Sequence, residues 1–195
     1  MRLFWTRAVS AGSLGLALAG LIGLGSCTTP SGENTSAVQA FISSLNGNQP
    51  LNSDVRITTG SADDVKDDKV NVTVRTQQKA SGTAPSTLYT VVFTQATITY
   101  TRPDGFNKPG VDVPFPLTEA IAVTVPPNGT GAFTLTMVTH QAKLESPLRN
   151  LWYQSGELEI STTATIQLFG EDLAGNKVTA AGSMTVFFAD FADNG

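Results

Sequence analysis

Apolar side chains recur with three different periods along this sequence. Between Ala8 and Gly25 they are nearly continuous and uncharged, "AVSAGSLGLALAGLIGLG". From Ser36 to Gly47 they fall at Val38, Phe41, Ile42 and Leu45, the i, i+3, i+4, i+7 spacing of one helix face. Thr35 or Ser36 is placed to cap the start of that short helix and Gly47 to end it. Beyond Pro50 the period becomes two. Val70, Val72 and Val74 share one face, and the same alternation recurs in Ile121/Val123/Val125 and in Phe133/Leu135/Met137. Its longest runs are Leu158 to Leu168 and Val178 to Phe188. Successive strand residues point to opposite faces, so these are half-buried antiparallel strands. "TLYTVVFTQATITYTR" is apolar at Tyr89, Val91 and Phe93 and then at Ala96, Ile98 and Tyr100. That change of parity predicts a bulge near Thr94 and Gln95.

Turn chemistry divides the strands. Asn128-Gly129 in "PPNGT" predicts a tight hairpin, and "GEDLAGNK" a longer one between the last two strands. "RPDGFNKPGVDVPFPL" carries successive turns and two prolines that forbid a central strand, and reads as a crossover. A second crossover, "HQAKLESPLRNLWYQSGE", holds a short helical turn after Pro147 with Leu148, Leu151 and Trp152 facing inward. The prediction is about seven strands, near 54–58, 69–76, 87–102, 118–125, 130–139, 157–169 and 176–189. The domain division is a leader over 1–26, a tether with a short amphipathic helix over 27–50, and one β-sandwich over 51–195.

Charge changes the picture of what such a domain meets. The 195 residues hold 12 Lys and Arg against 16 Asp and Glu. With Arg2 and Arg7 in the leader, the remainder carries ten basic side chains against sixteen acidic ones, a net charge of −6. Such a surface repels phosphates, and no basic cluster with interleaved aromatics is present, so nucleic acid is not an expected partner.

Arg2 and Arg7 followed by the apolar run read as a secretory signal, although the run is also nearly long enough to span a bilayer as a retained helix. It ends at Leu24-Gly25-Ser26-Cys27, which contains the only cysteine of the chain. That tetrapeptide resembles the lipobox of bacterial lipoproteins. The resemblance implies that the Cys27 thiol is alkylated with diacylglycerol, that the leader is cut before it, and that the new amino terminus is acylated. Several acyl chains anchor a protein where one chain binds only reversibly. A lone cysteine in an oxidising compartment has no disulfide partner, and lipidation accounts for it. Thr28, rather than Asp, follows the cysteine, which by the sorting rule of enteric lipoproteins implies the outer membrane. The residues from Thr28 to Asn34 are small and polar, as a flexible tether requires.

The strand count and connections match an immunoglobulin-like antiparallel sandwich. "GEDLAGNKVTAAGSMTVFF" resembles the last hairpin of bacterial immunoglobulin-like domains, whose D-x-A-G-N turn corresponds to Asp172, Ala174, Gly175 and Asn176. The inter-sheet cysteine pair of antibody domains is absent, and other seven- or eight-stranded sandwiches, transthyretin-like ones among them, fit the same count.

Catalytic signals are sparse. His140 is the only histidine, which leaves little for a zinc site or an activated nucleophile, and no G-x-S-x-G or S-x-x-K occurs. Glu157 and Glu159 share one strand face, but Ser161, Thr163, Thr165 and Gln167 continue it as a solvated side. Asp63, Asp64, Asp67 and Asp68 are the densest acidic cluster and the one weak calcium candidate; EF-hand spacing is missing and Lys66 and Lys69 offset the charge. No cofactor is expected. The segment with most promise is "PDGFNKPGVDVPFP": Asp104, Phe106 and Phe115 form a candidate binding loop, since loops on a rigid sandwich carry function and exposed aromatics make good anchors. The plainer alternative is that both rings plug one end of the core. The expectation is therefore a lipid-anchored cell-envelope β-sandwich acting as a binding or structural module, not an enzyme, bound to the membrane through Cys27 and, as a binding module, reaching another envelope protein or a glycan. A secreted hydrolase with an unrecognised site is the alternative.

Overall fold

A computed structural model of the chain describes residues 36–59, 62–80, 82, 84–154 and 158–191. The apolar leader, Cys27, the tether and Glu157 lie outside them. Ten strands follow: β1 (Val38–Leu45), β2 (Leu51–Asp54), β3 (Ile57–Thr59), β4 (Ala62–Asp64), β5 (Asp68–Gln78), β6 (Val91–Thr101), β7 (Leu117–Val125), β8 (Thr130–Val138), β9 (Ile160–Asp172) and β10 (Lys177–Ala189). Eight of them form two sheets, β1-β5-β8 and β2-β10-β9-β6-β7, and β3 and β4 pair as a separate ribbon. Pairing is antiparallel except that β2 runs parallel to β10. The protein is an all-β sandwich, with the two longest strands side by side within the larger sheet.

The alternating positions do what their period requires. Val70, Val72 and Val74 of β5, Leu135 and Met137 of β8, Ile166 and Leu168 of β9, and Val186 and Phe188 of β10 are buried in one cluster between the sheets. The parity switch in β6 is a bulge: pairing with both neighbours shifts between Phe93 and Gln95. Gly170 lies opposite Phe93, and a Cβ there would sit 2.3 Å from the Val92 carbonyl oxygen.

Four expectations need correction. The segment expected to be a short amphipathic helix is β1, the first strand of the smaller sheet, so the sandwich takes in residues assigned to the tether. Pairing with β5 shifts between Ile42 and Ser44. That irregularity lets Val38 and then Leu45, seven positions on, both turn inward, which reproduces a helical spacing inside a strand. Phe41, which a helix would bury, is 37% exposed. A helix of this length is marginal in water, while β5 offers an open edge to pair with. Second, the stretch expected as one strand near 54–58 is broken into the end of β2 and the start of β3. Third, Asn128-Gly129 does not close a hairpin, because β7 and β8 lie in different sheets. The Gln78 N–H donates to Asn128 Oδ1 at 2.9 Å and Thr76 Oγ1 donates to the Pro126 carbonyl at 2.6 Å, so the turn is docked on β5. Fourth, residues 102–116 link two neighbours, β6 and β7, and are a long hairpin loop rather than a crossover. The second expected crossover does pass between sheets, through a four-residue helix α1 (His140–Lys143) and a 3-10 turn (Leu148–Leu151). Leu148 and Leu151 are buried there and Trp152 packs against the core.

The sandwich thus has two distinct ends. The N-terminal end carries the start of β1, the 79–90 segment, the 126–129 turn and the β9–β10 hairpin. The opposite end carries the 102–116 loop, α1 and the β3–β4 ribbon. An eleven-residue strand such as β6 separates them by about 35 Å.

Candidate functional site

The 102–116 loop is held by its own polar atoms. Arg102 Nε donates to both Asp104 oxygens at 3.1 Å, and the Phe106 N–H donates to Asp104 Oδ1 at 3.1 Å. The Arg102 N–H donates to Asn107 Oδ1 at 2.6 Å, and the Lys108 N–H to Asp112 Oδ2 at 3.0 Å. Arg102, first of all through its side-chain hydrogen bond, holds the Asp104 carboxyl below the usual carboxylate range. The Gly110 N–H donates to the Val113 carbonyl at 2.8 Å, and Gly110 has φ +75°. The Phe115 ring lies over Gly110 so closely that a Cβ on that residue would be 2.4 Å from the ring.

This framework presents both candidate rings. Phe106 is 62% exposed and Phe115 59%, so neither plugs the core. Asp104 is exposed and accepts the Phe106 N–H, and Phe115 is exposed farther along the same loop. Phe115 also lines a small cavity of about 190 Å³ with Pro114, Tyr100, Met137, Thr139 and Ala142. Tyr100 donates its hydroxyl to the Met137 carbonyl at the floor of that cavity. Burial, and secondarily the nearby Asp68 charge, pushes its phenol upward.

The acidic cluster divides instead of converging. Asp64 Oδ1 accepts from the Val65 N–H at 2.8 Å and Oδ2 lies 3.2 Å from Lys66 Nζ. Asp67 Oδ1 accepts from the His140 N–H at 2.7 Å, with the ring Nδ1 3.5 Å away. That backbone hydrogen bond is the main cause of a lowered Asp67 carboxyl. Asp68 accepts from Ser53 Oγ at 2.5 Å and pairs with Lys143 Nζ at 2.9 Å. Asp63 takes part in the ribbon through its backbone, opposite Thr58. Among the described residues, no group of three His, Cys, Asp or Glu could hold a metal ion.

What sequence reasoning missed lies beneath the loop. Lys143 is only 1% exposed, and besides Asp68 its Nζ donates to the Asp54 carbonyl at 2.7 Å. Asp54 Oδ1 accepts the N–H groups of Arg56 and Phe191 at 3.3 and 3.2 Å. The buried Asp190 accepts from Arg56 Nη2 at 2.9 Å and from the Tyr153 N–H at 2.6 Å, while the Arg56 guanidinium lies 4.4 Å from the centre of the Tyr153 ring. These charges tie α1, β2, β5 and the end of β10 together. In the sequence they look like ordinary solvated charges, and nothing in "HQAKLE" or "FADFAD" marks them as buried.

At the N-terminal end, Asp172 closes the β9–β10 hairpin as the D-x-A-G-N turn implies. Its Oδ1 accepts the N–H groups of Ala174 at 3.0 Å and Asn176 at 2.8 Å. Burial pushes this carboxyl up, but the hydrogen bonds from Asn176 and Ser36 outweigh it and leave the group below its ordinary value. Glu159 is exposed, and its partner in the paired-carboxylate reading, Glu157, lies outside the described residues. Cys27 lies outside them too. Among the described residues no helix is long and apolar enough to cross a membrane.

No family model matches the chain, and no curated protein matches it. Among solved structures, it is similar to one described as the X-ray structure of Northeast Structural Genomics Consortium target SoR45, at 10% identity, over 77% of this chain and 86% of that one, with a TM-score of 0.37.

Proposed function

We propose that this chain is a lipid-anchored module of the bacterial cell envelope that binds a protein or glycan through the 102–116 loop. The reading joins two halves. Leu24-Gly25-Ser26-Cys27 supplies the anchor, with acyl chains on the Cys27 thiol and the polar residues after it as tether. Phe106 and Phe115 supply the contact, as aromatic anchors held exposed by a hydrogen-bonded loop that loses little entropy on binding. The observation that carries the reading is their position: the loop lies at the end of the sandwich opposite the start of β1. A domain tethered through residue 27 would then present its rings away from the membrane.

Two measurements test it. Cys27→Ala releases the protein from the membrane fraction, and intact mass of the native protein shows the thioether-linked diacylglycerol; a free thiol ends the proposal. Phe106→Ala with Phe115→Ala abolishes capture of the partner from envelope extracts while leaving a folded domain. Each ring is already mostly in water, so each truncation costs about 1 kcal/mol of stability. Loss of binding together with several kcal/mol of stability would mean that the rings serve packing.

A further inference from the structure

The N-terminal end of the sandwich carries its own exposed apolar pair. Leu88, in the turn Thr87–Tyr89, is 54% exposed, and Leu173, at the tip of the β9–β10 hairpin, is 57% exposed. The Leu173 N–H donates to the Thr90 carbonyl at 3.0 Å, which sets the hairpin tip beside the turn. Both turns are closed by side-chain hydrogen bonds: Ser86 Oγ accepts the Leu88 N–H at 3.3 Å, and Asp172 holds the hairpin through the N–H groups of Ala174 and Asn176. A shallow groove of about 600 Å³ opens beside Leu173, with Val92 and Phe169 in its lining and Lys177 along it.

The charges at this end are few and mostly basic. The loops 79–90, 126–129 and 173–176 contain Lys79 and no carboxylate. Asp172 is buried, and the exposed charges flanking them are Arg75, Lys177 and Glu171, the last two opposite each other in register. Asp64, Asp67, Asp104, Glu145 and Glu159 are all exposed at the opposite end, alongside Lys66, Lys69, Lys108 and Arg149. Within an acidic protein, this end thus sets three exposed basic side chains, Arg75, Lys79 and Lys177, against one exposed carboxylate, Glu171, beside two exposed leucines. That combination suits an anionic lipid surface, where basic side chains are drawn to headgroups and leucines enter the interface. The eight residues between Cys27 and Ser36 span at most about 28 Å, so an anchor at Cys27 keeps this end within reach of the bilayer.

From this we infer that Leu88, Leu173 and the basic residues around them form a lipid-contacting face that seats the domain upright on an anionic bilayer. The inference rests on the lipid-anchored reading for what delivers the domain, but the face itself does not need the acyl chains. The test uses the full mature chain in vesicles of equal parts phosphatidylcholine and phosphatidylglycerol carrying brominated acyl chains. Leu88→Trp, Leu173→Trp and, as control, Phe106→Trp are each made with Trp152→Phe, so that one indole reports. The indoles from Leu88→Trp and Leu173→Trp lose at least half their fluorescence, and the control loses almost none. Lys79→Glu with Lys177→Glu reduces that quenching severalfold. Equal, weak quenching at all three positions overturns the inference. So does protein-concentration-dependent burial of the Leu88→Trp indole without lipid, which would assign the face to a second copy of the chain. The same Leu88→Trp variant carrying Cys27→Ala, mixed with preformed vesicles, separates the two claims. Quenching there with an unmodified thiol in the native protein would sink the anchor and keep the face; a lipidated Cys27 with no quenching would do the reverse.

Discussion

Replacing Lys143 by Met removes a charge that almost no solvent reaches, and its cost follows from what the ammonium leaves behind. Asp68 loses its 2.9 Å partner and the Asp54 carbonyl loses a 2.7 Å donor. Breaking a fully buried pair from one side costs about 3–5 kcal/mol. Here the penalty is smaller, because Asp68 keeps the Ser53 hydroxyl and 19% of its side chain remains exposed. Met fills the volume of the lysine stem without an unpaired polar atom. The expected loss is about 2–3 kcal/mol, or about 5–10 °C in Tm for a domain of this size. Urea unfolding followed by circular dichroism reads it without the ionic screening that guanidinium would add. Asp68→Leu alone is similarly costly, since it strands the ammonium. The pair Lys143→Met with Asp68→Leu costs about as much as either single variant rather than their sum, giving a coupling of about 2 kcal/mol in a double-mutant cycle. The single Lys143→Met variant within about 0.5 kcal/mol of the parent, or simple additivity in the cycle, would refute the view that α1 is held down by this pair. The outcome bears on function as well as on stability: Ala142 and Thr139 line the cavity under Phe115, so loosening α1 takes the floor from the candidate binding loop.

Other expectations come from single positions. Gly170→Ala drives a Cβ to 2.3 Å from the Val92 oxygen and 2.7 Å from Phe93 Cα, backbone atoms that cannot step aside, and costs about 2–3 kcal/mol in urea unfolding. Gly182→Ala, whose nearest atom is the Ile42 Cβ at 3.1 Å, is the milder comparison and costs less than half as much. Asp172 has a folded-state carboxyl below its unfolded value, so its contribution is present above about pH 4 and disappears as pH falls through the folded value. Asp172→Asn therefore destabilises at neutral pH, and the gap to the parent narrows in acid; a gap independent of pH between neutrality and acid would contradict the sign.

Period two was enough to read the sandwich, because each face of a strand meets one environment. It located β5, β6, β9 and β10 within a few residues, and even the bulge at Phe93 to Gln95, where the apolar parity breaks. The same rule misread β1, since an irregular strand that turns Val38 and Leu45 to one side imitates a helix. Sheet membership was not legible either. "PPNGT" carries hairpin chemistry, but its destination is decided by Thr76 and Gln78, fifty positions earlier in the chain. In the candidate site, turns and prolines marked the loop, and the exposure of its rings excludes the plug. The buried lysine left no trace, because a charge is classified by the burial of its neighbours and that is a property of the assembled end.

The two ends use one device in different surroundings. At Asp104 and at Asp172 a carboxylate accepts the N–H two residues on, closing a turn that presents an apolar side chain, Phe106 in one and Leu173 in the other. Asp104 stays in solvent with its charge paired to Arg102, and Lys108 and Asp112 of the same loop carry opposite charges, so the loop around Phe106 has no net charge. Asp172 is covered and accepts hydrogen bonds from Asn176 and Ser36, so the exposed charges flanking the Leu173 turn are Lys177 and Glu171. In the proposed orientation, burial of Asp172 keeps one carboxylate away from the lipid-facing turn, while the turn at Asp104 faces the proposed protein or glycan.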